Sequence, residues 1–401
     1  MKQTAVRMST YTADVSGVCS ALYELGGMVV IHDPSGCNST YNTHDEPRWY
    51  HMDSLIYISG LKEMDALMGN EEKFIRDIEE AARDLKPRFI ALVRTPVPYM
   101  TGMDFEAAAM RIEEETGIPA FYVPTNGMHS YVYGAGNALA LVTGLLVQDF
   151  PEEASRTDAS NTGGTNPLRI NLLGVTPLDF SVGSSLSSLK AFLSDRGFEM
   201  ISCLAMGSSA EEIAEAGKAD VNLVVSSVGL KAAKVLQRRF GTPYIIGLPC
   251  SFGGEKSRFA ENLASQLQKT AECGFSVNLC SGNCDVNHSE KKAYIIGEAV
   301  TSYSIAAAFA EKYGFLPRVI CPLDSPEELM ADEILFLHSE EDIVKQREEA
   351  DLVIADPMYR ALAPAGADFI DLPHEAYSGR IYRNRIPDLM HLPDWGTEHD
   401  L

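Results

Sequence analysis

Short apolar runs alternate along this chain with longer segments whose apolar residues recur every three or four positions, the pattern of strands and helices in an open parallel sheet. Met28–Ile31 and Arg88–Val93 (RFIALV) read as buried strands. Between them Glu71–Leu85 reads as an acid-rich amphipathic helix stopped by Lys86-Pro87, because proline bars its predecessor from helical geometry. A helix over 104–116, the break Gly117-Ile118-Pro119 and a strand Ala120–Val123 follow. The turn Pro124–Gly136, with three glycines, leads into an apolar helix over 137–149.

Pro151–Asn166 (PEEASRTDASNTGGTN) is polar and marks a domain boundary. Beyond it come strand Arg169–Gly174, helix 182–196, strand 198–203, helix 209–217 and strand Val221–Ser226. Helix Leu230–Phe240, strand Tyr244–Ile246 and a helix from about 255 to 273 close this unit. A third unit opens near Lys292 with strand Ala293–Ile296, helix 301–313 and strand Arg318–Cys321. Helix 339–349 and strands Asp351–Ala355 and Phe369–Leu372 complete it. The expected fold is α/β, with three doubly wound, Rossmann-like parallel-sheet sub-domains around a central cleft, over 1–150, 167–290 and 291–401.

A length of 401 residues suits several cores rather than one. The net charge of −23 leaves no basic face for nucleic acid or an anionic membrane, so neither is an expected partner. The N-terminus lacks a signal peptide's apolar stretch, and the central apolar run Ala138–Val147 falls short of the roughly 20 residues that span a bilayer. The chain therefore reads as cytoplasmic. Eight cysteines are too sparse for a disulfide scaffold, and in a reducing compartment they are thiols or metal ligands.

Two of those cysteines stand out. Cys19 opens a helical segment that runs into strand Met28–Ile31, after which the chain breaks at Asp33-Pro34-Ser35-Gly36 and presents Cys37. A glycine beside a cysteine lets backbone approach a bulky ligand, and the surroundings of Cys37 (His32, Asn38, Asn42, His44) are polar, as suits a ligand loop. A pair of buried structural thiols is the plainer alternative.

An early cysteine, a helix, a strand and then H-x-P-x-G-C-x-x-x-Y (His32 to Tyr41) resembles the nitrogenase component 1 family, as do Glu46-Pro47 and Glu63–Gly69, where that family has a glycine-bearing helix start. The family includes nitrogenase molybdenum–iron protein subunits, cofactor-assembly scaffolds and protochlorophyllide reductase subunits. The resemblance implies that Cys19 and Cys37 are cluster ligands at a subunit interface. A second copy, or a paralogous component 1 subunit, would add two thiolates to give the four that a shared [4Fe–4S] cluster takes. It also implies electron delivery by a separate ATP-dependent iron–sulfur reductase, and no Walker-type phosphate loop occurs here: Gly253-Gly254-Glu255-Lys256-Ser257 lacks the frame.

Two departures narrow the implied function. Where the family often carries a third cluster cysteine, Arg94–Asp104 has none, which argues against a nitrogenase-type double cluster. Where catalytic nitrogenase subunits anchor their active-site cluster by cysteine, this chain has Ser226-Ser227, which argues against dinitrogen reduction. Cys280 and Cys284, a C-x-x-x-C pair, are candidates for an additional metal site, with thiols at a domain junction the plainer reading. Cys250 is a further candidate metal ligand, placed to face the cleft and touch a substrate or cofactor, whereas Cys203 and Cys321 end apolar strands and read as core. The leading expectation is a nitrogenase-like component 1 reductase subunit acting on a small molecule. The alternatives are a cluster-assembly scaffold without turnover and a cluster-free α/β ligand-binding protein.

Overall fold

The computed structural model describes residues 12–34, 46–150, 167–279, 291–324, 326, 329 and 334–397. The first unit runs α1 (Asp14–Leu22), β1 (Met28–His32), β2 (Leu55–Ile58), α2 (Glu63–Met68), α3 (Glu71–Leu85), β3 (Ile90–Arg94), α4 (Pro96–Thr101), α5 (Phe105–Thr116), β4 (Ala120–Tyr122) and α6 (Tyr131–Leu146). Its strands are parallel in the order β2-β1-β3-β4. Val29 and Ile31 of β1 join one apolar cluster and Met28 and Val30 another, the two-residue alternation of a strand covered on both faces.

The second unit contains β5 (Leu168–Val175), α7 (Pro177–Phe180), α8 (Ser185–Ser194), β6 (Phe198–Ala205), α9 (Ala210–Ala214), β7 (Val221–Val224), α10 (Leu230–Phe240), β8 (Tyr244–Ile246), β9 (Ser251–Phe252), α11 (Arg258–Cys273) and β10 (Val277–Leu279). Its parallel sheet is ordered β10-β8-β7-β5-β6. The third has β11 (Ala293–Ile296), α12 (Ala299–Tyr313), β12 (Arg318–Cys321), β13 (Ile334–Phe336), α13 (Glu340–Gln346), β14 (Leu352–Ala355), β15 (Asp368–Asp371), α14 (Glu375–Ser378) and β16 (His391–Leu392). Its sheet is ordered β13-β12-β11-β14-β15, and β16 pairs with β9 of the second unit. The chain is thus α/β with three parallel sheets, as the apolar pattern required.

In each sheet the strand order reverses beside the first strand: between β1 and β3, between β5 and β7, and between β11 and β14. Such reversals open a crevice beyond the carboxyl ends of the strands, because successive crossovers leave in opposite directions.

The largest departure from the sequence reading is α6, which begins at Tyr131, six residues before the expected start at 137. Glycines read there as turn residues are packing residues. A Cβ on Gly134 would stand 1.9 Å from the Asp14 carbonyl oxygen, and one on Gly17 would stand 2.2 Å from that of Tyr131. Their absence lets α1 and α6 cross backbone to backbone. Gly69 ends α2 in a left-handed conformation (φ 67°) rather than opening a helix, and β2, β9, β10, β13 and β16 go beyond the strands that the apolar pattern predicts. Among the described residues no helix is long and apolar enough to cross a membrane.

Candidate functional site

The close crossing of α1 and α6 fixes the setting of Cys19. The buried Asp14 carboxylate accepts amide protons from Val15 at 2.7 Å and from Asn126 and Gly127 at 2.9 Å, tying the start of α1 to the loop before α6. Cys19 then lies in the apolar interior with no solvent exposure. Burial, followed by the neighbouring Glu46 charge, pushes its thiol well above the ordinary range. Such a sulfur stays protonated in water-free surroundings, and a bound metal would displace the proton.

Cys37, His44, Cys280 and Cys284 lie outside the described residues. What is described is how the Cys37-bearing segment is held at both ends. Before it, the buried Asp33 accepts the Thr95 hydroxyl, and its amide donates to Ser59 Oγ. After it, Arg48 donates to Glu46 at 2.7 Å, Glu24 at 2.8 Å and the Ser20 carbonyl at 2.8 Å, with its guanidinium 4.5 Å from the Tyr23 ring centre. The chain therefore leaves the carboxyl end of β1 and returns onto α1 around Ser20, the neighbour of Cys19.

The remaining described cysteines are set differently. Cys250, after β8, is fully buried in the apolar cluster, and burial pushes its thiol to about 12. Cys203 and Cys321 are core residues on β6 and β12, and Cys273 ends α11 in solvent. His32, the last residue of β1, is 7% exposed and bonds Ser59 Oγ through Nδ1 at 2.8 Å. Among the described residues no group of three or more His, Cys, Asp and Glu is close enough to hold a metal ion.

A second constellation went unnoticed in the sequence. It lies where strand ends of the second and third units meet the start of α6, and each unit contributes. Asp179, in α7 after β5, accepts hydrogen bonds from the hydroxyls of Tyr131 (2.5 Å), Thr176 (2.9 Å) and Ser226 (3.0 Å). Glu298, after β11, accepts the amides of Val300 and Thr301 at the start of α12, and the amide and hydroxyl of Ser227. Asp356, after β14, accepts the His374 amide at 2.8 Å and the Ser378 hydroxyl at 2.7 Å. Strand-end polar residues (Thr176, Ser226-Ser227, Glu298, Asp356) were the available signal, but nothing in linear order joins them.

Burial, then the Glu298 charge, raises the Asp179 carboxyl to about 7, while burial lowers His374 to about 4. The His374 Nδ1 accepts the Ala376 amide, so the neutral ring carries its proton on Nε2, 3.7 Å from Asp179 Oδ1. At that spacing, with both shifts favouring the uncharged forms, this is not an ion pair. Among the described residues, His374 Nε2, Tyr377 Oη and Thr301 Oγ1 are buried without a hydrogen-bond partner. The hydroxyls of Ser20, Ser54 and Thr143, elsewhere in the fold, are also buried without a protein partner, and a bound water, an ion or a functional contact is what such groups call for.

Residues 16–355 match the family described as nitrogenase component 1 type oxidoreductase. A light-independent protochlorophyllide reductase subunit of Halorhodospira halophila is 28% identical over 190 residues, which cover 46% of this chain and 35% of that one. The nitrogenase iron-molybdenum cofactor biosynthesis protein NifE of Clostridium pasteurianum is 28% identical over 251 residues, 58% of this chain and 51% of that one. The chain thus spans between about a third and a half of these relatives. A solved structure described as "Nitrogenase Cp1 at pH 6.5" superposes with a TM-score of 0.62 at 15% identity, covering 95% of this chain and 90% of the other, so the fold is shared. With the matched residues taking in Cys19, the first two sheets, β11 to β14 of the third, and the strand-end carboxylates Asp179 and Glu298, the chain belongs to the nitrogenase component 1 type oxidoreductase family.

Proposed function

We propose that this chain is a component 1-like reductase subunit in which Cys19 and Cys37 hold an iron–sulfur cluster, shared across a two-fold contact with a second component 1-type subunit. The observation that carries the reading is the return of the chain at Arg48 onto the Ser20 carbonyl of α1, next to Cys19. When bound, the cluster supplies one-electron transfer at low potential. By analogy with the family, electrons would come from a separate ATP-dependent iron–sulfur reductase. α1 and α6 exclude water from the Cys19 sulfur, which favours a low-dielectric site around the charge it would carry.

The substrate would meet the chain at the three-unit junction, where His374, Tyr377 and Thr301 hold unsatisfied polar atoms and Asp179 holds a proton near neutrality. A second reading, an assembly scaffold without turnover, is favoured by the longer match to NifE than to the reductase subunit.

Anaerobic purification tests the cluster. The expected protein is brown, with about four irons per dimer, and Cys19→Ala and Cys37→Ala each remove colour and iron. A colourless, iron-free, fully folded protein would overturn both readings. Electron uptake from an ATP-driven iron–sulfur reductase separates reductase from scaffold.

A further inference from the structure

We propose that Glu46, held in place by Arg48, is a positioning residue that lowers the reduction potential of the cluster, on the reading above that Cys19 ligates one. Arg48 lies between two carboxylates. Its Nε donates to Glu46 Oε1 at 2.7 Å and its Nη1 to Glu24 Oε1 at 2.8 Å, while Nη2 reaches the Ser20 carbonyl at 2.8 Å. One guanidinium therefore spans from Glu46 to the residue after Cys19. The Glu46 side chain has no solvent exposure, and those of Arg48 and Glu24 have 6% and 10%.

Two carboxylates against one guanidinium leave this triad one negative charge in excess. Anchoring the returning chain needs a single pair, and a further buried charge is unfavourable to folding. The neighbouring cations are engaged elsewhere. Arg383 donates to Glu375 at 2.9 Å, and Lys190 donates to the carbonyl of Gly207, whose amide donates to Glu24 at the far end of the triad.

The excess charge is felt at Cys19, where Glu46 is the largest influence on the thiol after burial and favours its uncharged form. An electron added to a cluster at that sulfur is also extra negative charge in a water-free site, so the same field opposes it. The Ser20 hydroxyl, next in sequence, is buried without a hydrogen-bond partner, so the chain alone leaves a donor unused there.

The test is an anaerobic redox titration of the iron-loaded full chain, followed by its visible absorption. Glu46→Gln keeps a carbonyl oxygen for Arg48 and removes the charge. Its reduction is expected to be favoured about tenfold, a midpoint about 59 mV more positive for one electron. Glu46→Asp keeps the charge and is expected to stay near the unsubstituted value, whereas a loosened chain would shift both variants alike. Glu24→Gln, at the Lys190 end, is expected to shift the midpoint the same way by less. Equal midpoints in the unsubstituted protein and Glu46→Gln, or equal shifts in Glu46→Gln and Glu46→Asp, would overturn the proposal and leave the cluster standing. If Glu46→Gln loses its iron, Glu24→Gln carries the test. Iron loss from both would mean that the triad holds the site together rather than tunes it, which also overturns the proposal. An iron-free unsubstituted protein would sink the cluster reading itself, and this proposal with it.

Discussion

Around the first sheet, large apolar side chains stand outside the fold, while at the three-unit junction charged and polar ones stand inside it. Thirteen of the eighteen large apolar side chains exposed among the described residues fall between Trp49 and Met128, including Tyr50, Met64, Leu67, Met68 and Met100. At the junction Asp179, Glu298 and Asp356 are buried, and the first two accept hydrogen bonds from residues of another unit or of the opposite strand end. Both arrangements are unfavourable for an isolated chain: the first leaves apolar surface in water, and the second removes charge from it. They are relieved in different ways. The junction is largely satisfied from within, leaving three polar atoms over, whereas the first unit has its apolar surplus still to cover. That contrast agrees with a protein whose substrate meets it at the junction and whose partner subunit and cluster meet it through the first unit.

The contrast can be broken most severely at the crossing that joins the two regions. Gly134→Val forces a side chain into the Asp14 carbonyl and is expected to cost about 3 kcal/mol or more, read as a lowered urea midpoint. At Gly144, on the same helix, a Cβ would meet no atom within 4 Å, so Gly144→Ala is the matched control and should leave the midpoint unchanged or raise it.

Next come two equally buried thiols. Cys19→Ala is expected to abolish bound iron, whereas Cys250→Ala, in the apolar cluster after β8, keeps the iron and loses about 1 kcal/mol of packing. Iron analysis with denaturant unfolding of both variants decides it, and equal iron loss in the two would erase the distinction.

The junction makes a prediction in pH. Asp179 has its folded pKa raised to about 7 from 3.8, so its contribution to stability is complete below the lower value and is lost as pH rises through 7. His374 is lowered to about 4 from 6.5, so its contribution is complete above 6.5 and is lost as pH falls towards 4. The two slopes oppose each other over nearly the same window. Asp179→Asn should therefore uncover the histidine: stability then rises with pH between about 4 and 6.5, by up to about 1.4 kcal/mol per pH unit. Urea unfolding at several pH values reads the change, and identical profiles would show that the two groups do not titrate as assigned.

The smallest effect on stability is expected at the outer apolar surface. Met100, 84% exposed at the end of α4, should tolerate Met100→Ser within about 0.5 kcal/mol. Sedimentation should nonetheless show weaker association if that surface faces a partner subunit.

Most strands and helices were legible because each is specified locally. α10 runs from Leu230 to Phe240 and stops at Gly241 in a left-handed turn (φ 71°), as its apolar period and terminal glycine dictate. The start of α6 was not legible. Gly134 looks like a turn residue until α1 is laid across it, and only then does the missing Cβ become a packing requirement. The candidate ligands Cys19 and Cys37 came from a resemblance in a short stretch, which the family match across residues 16–355 supports at the level of the fold.

The sequence by itself determined three parallel α/β units, the acidic surface and the two cysteines flanking β1, because apolar period, charge count and residue identity are properties of neighbours along the chain. The tertiary structure decided which strand ends meet. Tyr131, Asp179, Ser226, Glu298 and His374 are separated by tens of residues and share one buried site only because strand ends of the second and third units meet the start of α6. The same meeting sets the charge state of that site, since burial and the Glu298 charge, rather than the identity of Asp179 as an aspartate, hold its proton near neutral pH.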